Sequence, residues 1–263
     1  MTLPLDTLFF SLVTGAFVGI AAGYLGSLMV LERMSLVGDA LSHVALPGLA
    51  LGYVYHFNHF IGAFAFLFVS AIIIWQLRRM TKLPFETIVG AMFTLALAIG
   101  ILIVPQTDLL EALFGNITVV TWDYAIAAVI VSIVAIALTK LIYRKLVLGM
   151  ISEDLATSKG ISVGRINLIY LLLVSLIVAV GIQITGTLLV GFLVIVPAAA
   201  AKTASSSLHR YGILSAVFGA VSTCVGIIVA DALNLDTIYV GPLIVFSGIA
   251  IFVVTALAKW RSK

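Results

Sequence analysis

An all-α fold of eight or nine membrane-spanning helices is the expectation for this chain, and it rests on three observations. Hydrophobic residues make up 63% of the 263 and charged residues 10%, with a mean hydropathy of +1.27. Soluble domains carry about 25% charged residues, so little is left over for one here. Apolar runs long enough to cross, or nearly cross, ~30 Å of hydrocarbon recur about nine times. The basic residues collect in alternate connections, as they do when charge sets sidedness.

In chain order the runs occupy roughly 7–31, 35–55, 60–77, 87–104, 122–143, 167–185, 187–201, 212–230 and 238–258. Asp6 precedes the first and no basic stretch does, so it reads as a permanent span and not as a cleaved leader. Its Gly15, Gly19 and Gly23 form a ladder of period four, which lets helices approach closely in lipid, and packing is its reading. The seventh run is short, and only Thr185 and Gly186 separate it from the sixth. A half-helix or re-entrant element there, and with it eight spans, stays open beside nine. Pro47-Gly48, Pro105, Pro197 and Gly241-Pro242 interrupt helical runs. They read as bends, of the kind that border cavities in transport proteins because freed backbone groups need partners.

Arg78, Arg79 and Lys82 follow the third run. Arg144 and Lys145 open a long loop after the fifth, which continues through Lys159 and Arg165. Lys202 and Arg210 follow the seventh, and Lys259, Arg261 and Lys263 come last. Asp108, Glu111, Asp231 and Asp236 fall in the connections between. This alternation puts the basic loops and the C-terminus in the cytoplasm. Nine spans would place the N-terminus outside, eight inside. The net charge of +3 and pI of about 9.0 belong to these loops and make no case for nucleic acid. The single cysteine, Cys224, lies in an apolar run, which excludes a disulfide framework or a thiolate metal cluster. No G-x-x-x-x-G-K-[ST] or H-E-x-x-H pattern occurs, so any ATP must be bound by another chain.

Asp39 and His43 stand four residues apart within the second run. On a helix they share a face, and ionisable groups at membrane depth usually mark a substrate or ion path. Carboxylate oxygen with imidazole nitrogen suits zinc, manganese or iron. A purely structural hydrogen bond would return about 1–2 kcal/mol against a larger burial cost. Ser42, about 100° away from His43 on the helix, does not pair with it as a nucleophile. His56 and His59 flank a short outer loop and read as interfacial packing, His209 as a solvated residue, and Glu32 and Arg33 as interfacial anchors. Gln183 and Thr185 either line a pathway or relieve a helix end. In the loop from Arg144 to Arg165, Glu153-Asp154 suits a helix N-terminus and Gly160 its end. A short helix presented to a partner and an ordinary connection remain equal readings of it.

Three stretches resemble one family, the permeases of bacterial ABC importers for zinc, manganese and iron. Val37-Gly-Asp-Ala-Leu-Ser-His-Val-Ala-Leu-Pro-Gly48 is similar to its GD-x-L-SH-x-x-L-PG signature. Thr185-Gly-Thr-Leu-Leu-Val-Gly-Phe-Leu-Val-Ile-Val-Pro-Ala-Ala-Ala-Ala201 resembles its GTLL…PA run, and Glu153-Asp-Leu-Ala-Thr-Ser-Lys-Gly-Ile-Ser-Val163 its cytoplasmic E-x-x-A-x-x-x-G loop. Leu113-Phe-Gly-Asn116 and Asp236 with Gly241 are weaker echoes. Around 236–242 Thr-Ile-Tyr-Val follows the aspartate where the family more often has proline.

The resemblance implies a type II ABC importer-like permease in the bacterial cytoplasmic membrane, a single transmembrane domain over 1–263 with a coupling loop at about 144–166. It implies a second copy of the chain, two cytoplasmic ATP-binding subunits and an external metal-binding protein. Asp39 and His43 are then the metal pair, as a binding site or a gate, and two copies would supply four ligands to a tetrahedral ion. Glu153, Asp154, Ala156 and Gly160 couple to the ATPase, while Ser42, Gln183, Thr185 and Pro197 are candidate pathway lining. The chain is then not an enzyme and holds no permanent cofactor; its cargo is zinc or manganese, with iron third, and ATP sits on the partner. The alternatives are a stand-alone proton-coupled metal carrier and an intramembrane enzyme.

Overall fold

The computed structural model describes residues 5–81, 83–104, 109–115 and 120–261, and their regular structure is helical throughout. Lys82, Pro105, Asp108, Asn116 and Lys263 lie outside the described residues, as does the side chain of Glu111. The order is α1 (Leu5–Leu31), α2 (Ser35–Val44), α3 (Leu46–Tyr55), α4 (His59–Met80), α5 (Phe85–Ile103), α6 (Leu109–Phe114), α7 (Trp122–Ile151), α8 (Glu153–Ser158), α9 (Val163–Ala204), α10 (Leu208–Ala232), a 3-10 turn (Thr237–Tyr239) and α11 (Val240–Arg261).

Local chemistry sets the ends. The Asn58 side chain accepts the Phe60 N–H at 2.9 Å and opens α4, which closes on Arg78 and Arg79, cations suited to a helix C-terminus. Thr121 and Ser207 side chains cap α7 and α10 in the same way. Pro47 falls in the first turn of α3, where its missing N–H costs least, and so divides the second run into α2 and α3 at Ala45.

Eight helical segments among the described residues are long and apolar enough to cross a membrane, with α2 and α3 together forming one. The longest, α9, has 42 residues and would measure about 63 Å if straight, twice a bilayer core. It is not straight. Gly186 holds φ 74° and ψ 170°, a conformation open in practice to glycine alone. A Cβ built on Gly181 would lie 2.5 Å from Val190 Cγ2, whereas residues nine apart on one helix stand roughly 13 Å apart. The chain therefore folds back at Gly186 into two arms, 163–185 and 187–204. Both run along the same stretch of α1: the Tyr170 hydroxyl of the first donates to the Leu25 carbonyl at 2.6 Å, and Val194 of the second packs on Gly26. The short seventh run is thus the second arm of a helical hairpin, and the apolar arms among the described residues number nine.

This hairpin is the centre of the bundle, packed by α1, α2, α4, α7, α10 and α11. The glycine ladder of α1 lies on α10, where added Cβ atoms would run into Ile227, Gly219 and Ser215. Closing at that distance lets Ser215 and Thr223 donate to the Gly23 and Gly15 carbonyls, at 2.6 and 2.9 Å. At the hairpin tip, Gly186 meets the Leu113 carbonyl of α6, and the Thr187 hydroxyl donates to the Ala112 carbonyl at 3.0 Å.

Candidate functional site

α2 lies against the second arm of α9 because Gly191 faces it: a Cβ there would come within 2.6 Å of Asp39 Cα. Gly38 faces Val194 on the same contact. Val37, Leu41, Ser42 and Val44 are buried, whereas Asp39 is exposed along the narrow open strip of the helix. Its carboxylate faces a cavity of about 200 Å³ lined by Val37, Asp39, Ala40, Glu86, Val89, Gly90 and Phe93. His43, one turn further on, sets its ring edge-on to Phe93 with centroids 5.2 Å apart. Its Nδ1 is buried with no hydrogen-bond partner among the described residues. A nitrogen kept from water and left unpaired costs about 1–3 kcal/mol. Pro47 adds to the polarity here, since it has no N–H for the His43 carbonyl, to which the Ala45 N–H turns instead.

Among the described residues no third His, Cys, Asp or Glu joins this pair in a metal-holding group. The pair sets one carboxylate and one imidazole a turn apart on α2. Ser42 is fully buried beneath the pair and donates to the Asp39 carbonyl. Pro197 is buried in the second arm of α9. Thr185 donates to the Gly181 carbonyl at 3.1 Å, near the hairpin tip. Gln183 lines a separate cavity of about 420 Å³ with Asn58, His59, Thr121 and Asp123. His59 stacks on Tyr53 at 4.2 Å, and His56 and His209 are exposed. Gly191, Phe93 and Glu86 are the residues of the Asp39 surroundings that sequence reasoning did not single out. They reach it from other helices, and no local spacing announces them.

The turn between α1 and α2 departs from expectation. Arg33 is exposed, but Glu32 is largely buried beside Met29, Trp75, Asn167 and Tyr170, and its Oε2 has no hydrogen-bond partner among the described residues. Burial pushes its carboxyl from 4.5 up to about 7, against the opposing pull of Arg78. The folded chain therefore keeps a proton on Glu32 that the unfolded chain has already released. The stability this residue allows is complete below about pH 4.5 and falls as pH rises to about 7. Glu32→Gln, which mimics the protonated group, is expected to match the parent at pH 4.5 and to melt a few degrees higher at pH 8. Thermal unfolding in detergent at both pH values checks this, and a gap that does not change with pH rules it out.

α8 forms where Glu153-Asp154 and Gly160 suggested a helix. The Ser152 side chain caps it, accepting the Leu155 N–H at 3.2 Å, and Gly160 follows its end at φ 73°. Ala156 is fully buried under it, while Glu153, Asp154 and the apolar Ile151 and Leu155 face outward. Trp75 of α4 donates to the Gly164 carbonyl at 2.8 Å, which ties α4 to the start of α9 just beyond α8.

Nine apolar arms among the described residues, a polar pair on an open helix strip and an exposed short helix define a polytopic membrane transport protein. The chain belongs to the ABC 3 transport family, whose model matches residues 5–259, and it is an ABC transporter permease. It is 33% identical over 229 residues to the manganese transport system membrane protein MntC of Listeria monocytogenes, covering 86% of this chain and 82% of that one. It is 32% identical over 260 residues to the high-affinity zinc uptake system membrane protein ZnuB of Buchnera aphidicola, 96% of this chain and 98% of that one. The solved structure of PsaBC from Streptococcus pneumoniae in complex with Fab superposes with a TM-score of 0.84 at 31% identity, over 95% of this chain and 91% of that chain.

Proposed function

We propose that this permease imports a divalent transition metal, manganese or zinc, past Asp39 and His43 and under the drive of ATP hydrolysed on partner subunits. The pair on one strip of α2 carries the reading: a carboxylate and an unpartnered imidazole nitrogen at membrane depth, in a family whose relatives bear the names of manganese and zinc systems. Two copies of the chain would close two oxygens and two nitrogens around one ion, a set that holds zinc or manganese without irreversible grip. An external binding protein delivers the metal. The ATPases dock on α8, whose exposed Leu155, together with Ile151 at the end of α7, offers them an apolar anchor beside Glu153 and Asp154. Basic loops and the C-terminus face the cytoplasm, and nine arms then put the start of α1 outside. Nothing in the fold or among the relatives favours the proton-coupled carrier or the intramembrane enzyme.

The test is metal accumulation in cells expressing the chain with its cognate ATPase and binding protein, with manganese, zinc and iron quantified together. Accumulation of one metal is expected, and it disappears with a hydrolysis-dead ATPase. Accumulation indifferent to the ATPase would return the carrier reading, and no change in any metal would remove the assignment.

A further inference from the structure

We propose that Glu86 is an inner station of the pathway, a second carboxylate that receives the divalent cation from Asp39 and His43 on its way to the cytoplasm. The inference rests on the reading of Asp39 and His43 as the metal pair. α2 and α5 lie side by side and run in the same direction, since Asp39 shares a cavity with Glu86, His43 meets Phe93 and Leu46 meets Gly100 in turn; each helix follows basic residues, Arg33 for α2 and Arg78-Arg79 for α5. Their register follows from two contacts. His43 is level with Phe93, at 5.2 Å between rings, and Val37, Asp39 and Ala40 share one cavity with Glu86, Val89 and Gly90. Matching His43 to Phe93 sets Glu86 level with residue 36. That is three residues of rise, roughly 4–5 Å, from Asp39 toward the basic turns.

Asp39 and Glu86 are the two charged residues on this cavity, and Val37, Ala40, Val89, Gly90 and Phe93 make the rest of its wall apolar. A divalent ion released from one carboxylate into such a wall meets a low dielectric and a steep cost. A second carboxylate a few ångströms on lowers that cost, and several modest sites in series are what conduction requires. The position also meets a specific need. The N-termini of α2 and α5 both point toward this end, and each presents about half a positive charge to a departing cation. α2 has no acidic residue in its first turn; α5 has Glu86. No hydrogen bond or ion pair holds the Glu86 side chain among the described residues, and Arg78 stacks instead on the Phe85 ring at 4.9 Å.

The competing role is a helix-end charge that stabilises α5 and nothing more. Moving the charge separates the two. Thr87 is exposed in the same first turn but points about 100° away, so Glu86→Gln with Thr87→Glu keeps the end charge and takes it off the cavity. Uptake of radioactive manganese and zinc by the complete complex in proteoliposomes would be measured for Glu86→Gln, Glu86→Asp, the Glu86→Gln/Thr87→Glu double variant and Asp39→Ala. Expected is a maximal rate at least about tenfold lower in Glu86→Gln, with half-saturation little changed, substantial recovery in Glu86→Asp and none in the double variant. The double variant should melt at the parent temperature. Parental uptake in Glu86→Gln, or its recovery in the double variant, overturns the inference while Asp39→Ala stays inactive. Parental uptake in Asp39→Ala would overturn the metal-pair reading beneath it.

Discussion

Alanine at Asp39 or at His43 is expected to abolish metal uptake and to leave the permease folded and abundant. Both halves follow from how the pair is held. No side-chain hydrogen bond anchors the Asp39 carboxylate among the described residues, and His43 Nδ1 bonds to nothing there. Truncation therefore removes ligands without orphaning a buried partner. On the proposed reading of two copies around one ion, each single substitution deletes two of four ligands. Changes one shell further out cost metal sites about 10–100-fold, so the loss here should reach or exceed the upper end of that range. Asp39→Asn is the sharper variant, since it preserves volume and removes only charge. Uptake normalised to membrane abundance, with thermal unfolding alongside, decides the matter. Uptake within about twofold of the parent would mean that the ion travels elsewhere.

Gly186→Val should remove the folded protein altogether. Valine there must adopt a backbone region costing about 1–3 kcal/mol for any residue with a side chain, and its Cβ would overlap the Leu113 carbonyl. Neither α6 nor the hairpin arms can retreat, because the Thr187–Ala112 and Tyr170–Leu25 hydrogen bonds and the Gly181–Val190 contact pin them on both sides. Gly160→Ala is the control. Gly160 also has positive φ, 73°, yet a Cβ there meets nothing within 4 Å, so only the backbone cost applies. Monodisperse yield after detergent extraction should be near zero for Gly186→Val and close to parental for Gly160→Ala. Equal yields would show that the tip is softer than its contacts imply.

The spans were legible in the amino acids because lipid demands continuous apolar runs, and Asp39 with His43 was legible because charge in such a run is rare and their spacing is helical. The fold-back of α9 was only half legible. Thr185-Gly186 suits a kink or a reversal equally, and the Gly181–Val190 contact that separates them is tertiary. Glu32 was misread for a related reason: a charge at a helix end usually snorkels to water, and residues brought from other helices, Trp75, Asn167 and Tyr170 among them, close around it. Gly191 was one small residue among many in its run. Its meaning lies in the α2 backbone it admits.

The hairpin has a bearing on how the chain is made. A polar loop normally lets a nascent span be recognised and released before the next one emerges, but no such loop parts the two arms of α9. Their turn offers the translocation machinery only Thr185, Gly186 and Thr187. The arms must therefore enter lipid as one unit, 42 residues long, with no charge at the tip. What holds it is α6, which must already be in place. The order of synthesis provides for this, since α6 leaves the ribosome before α9 begins.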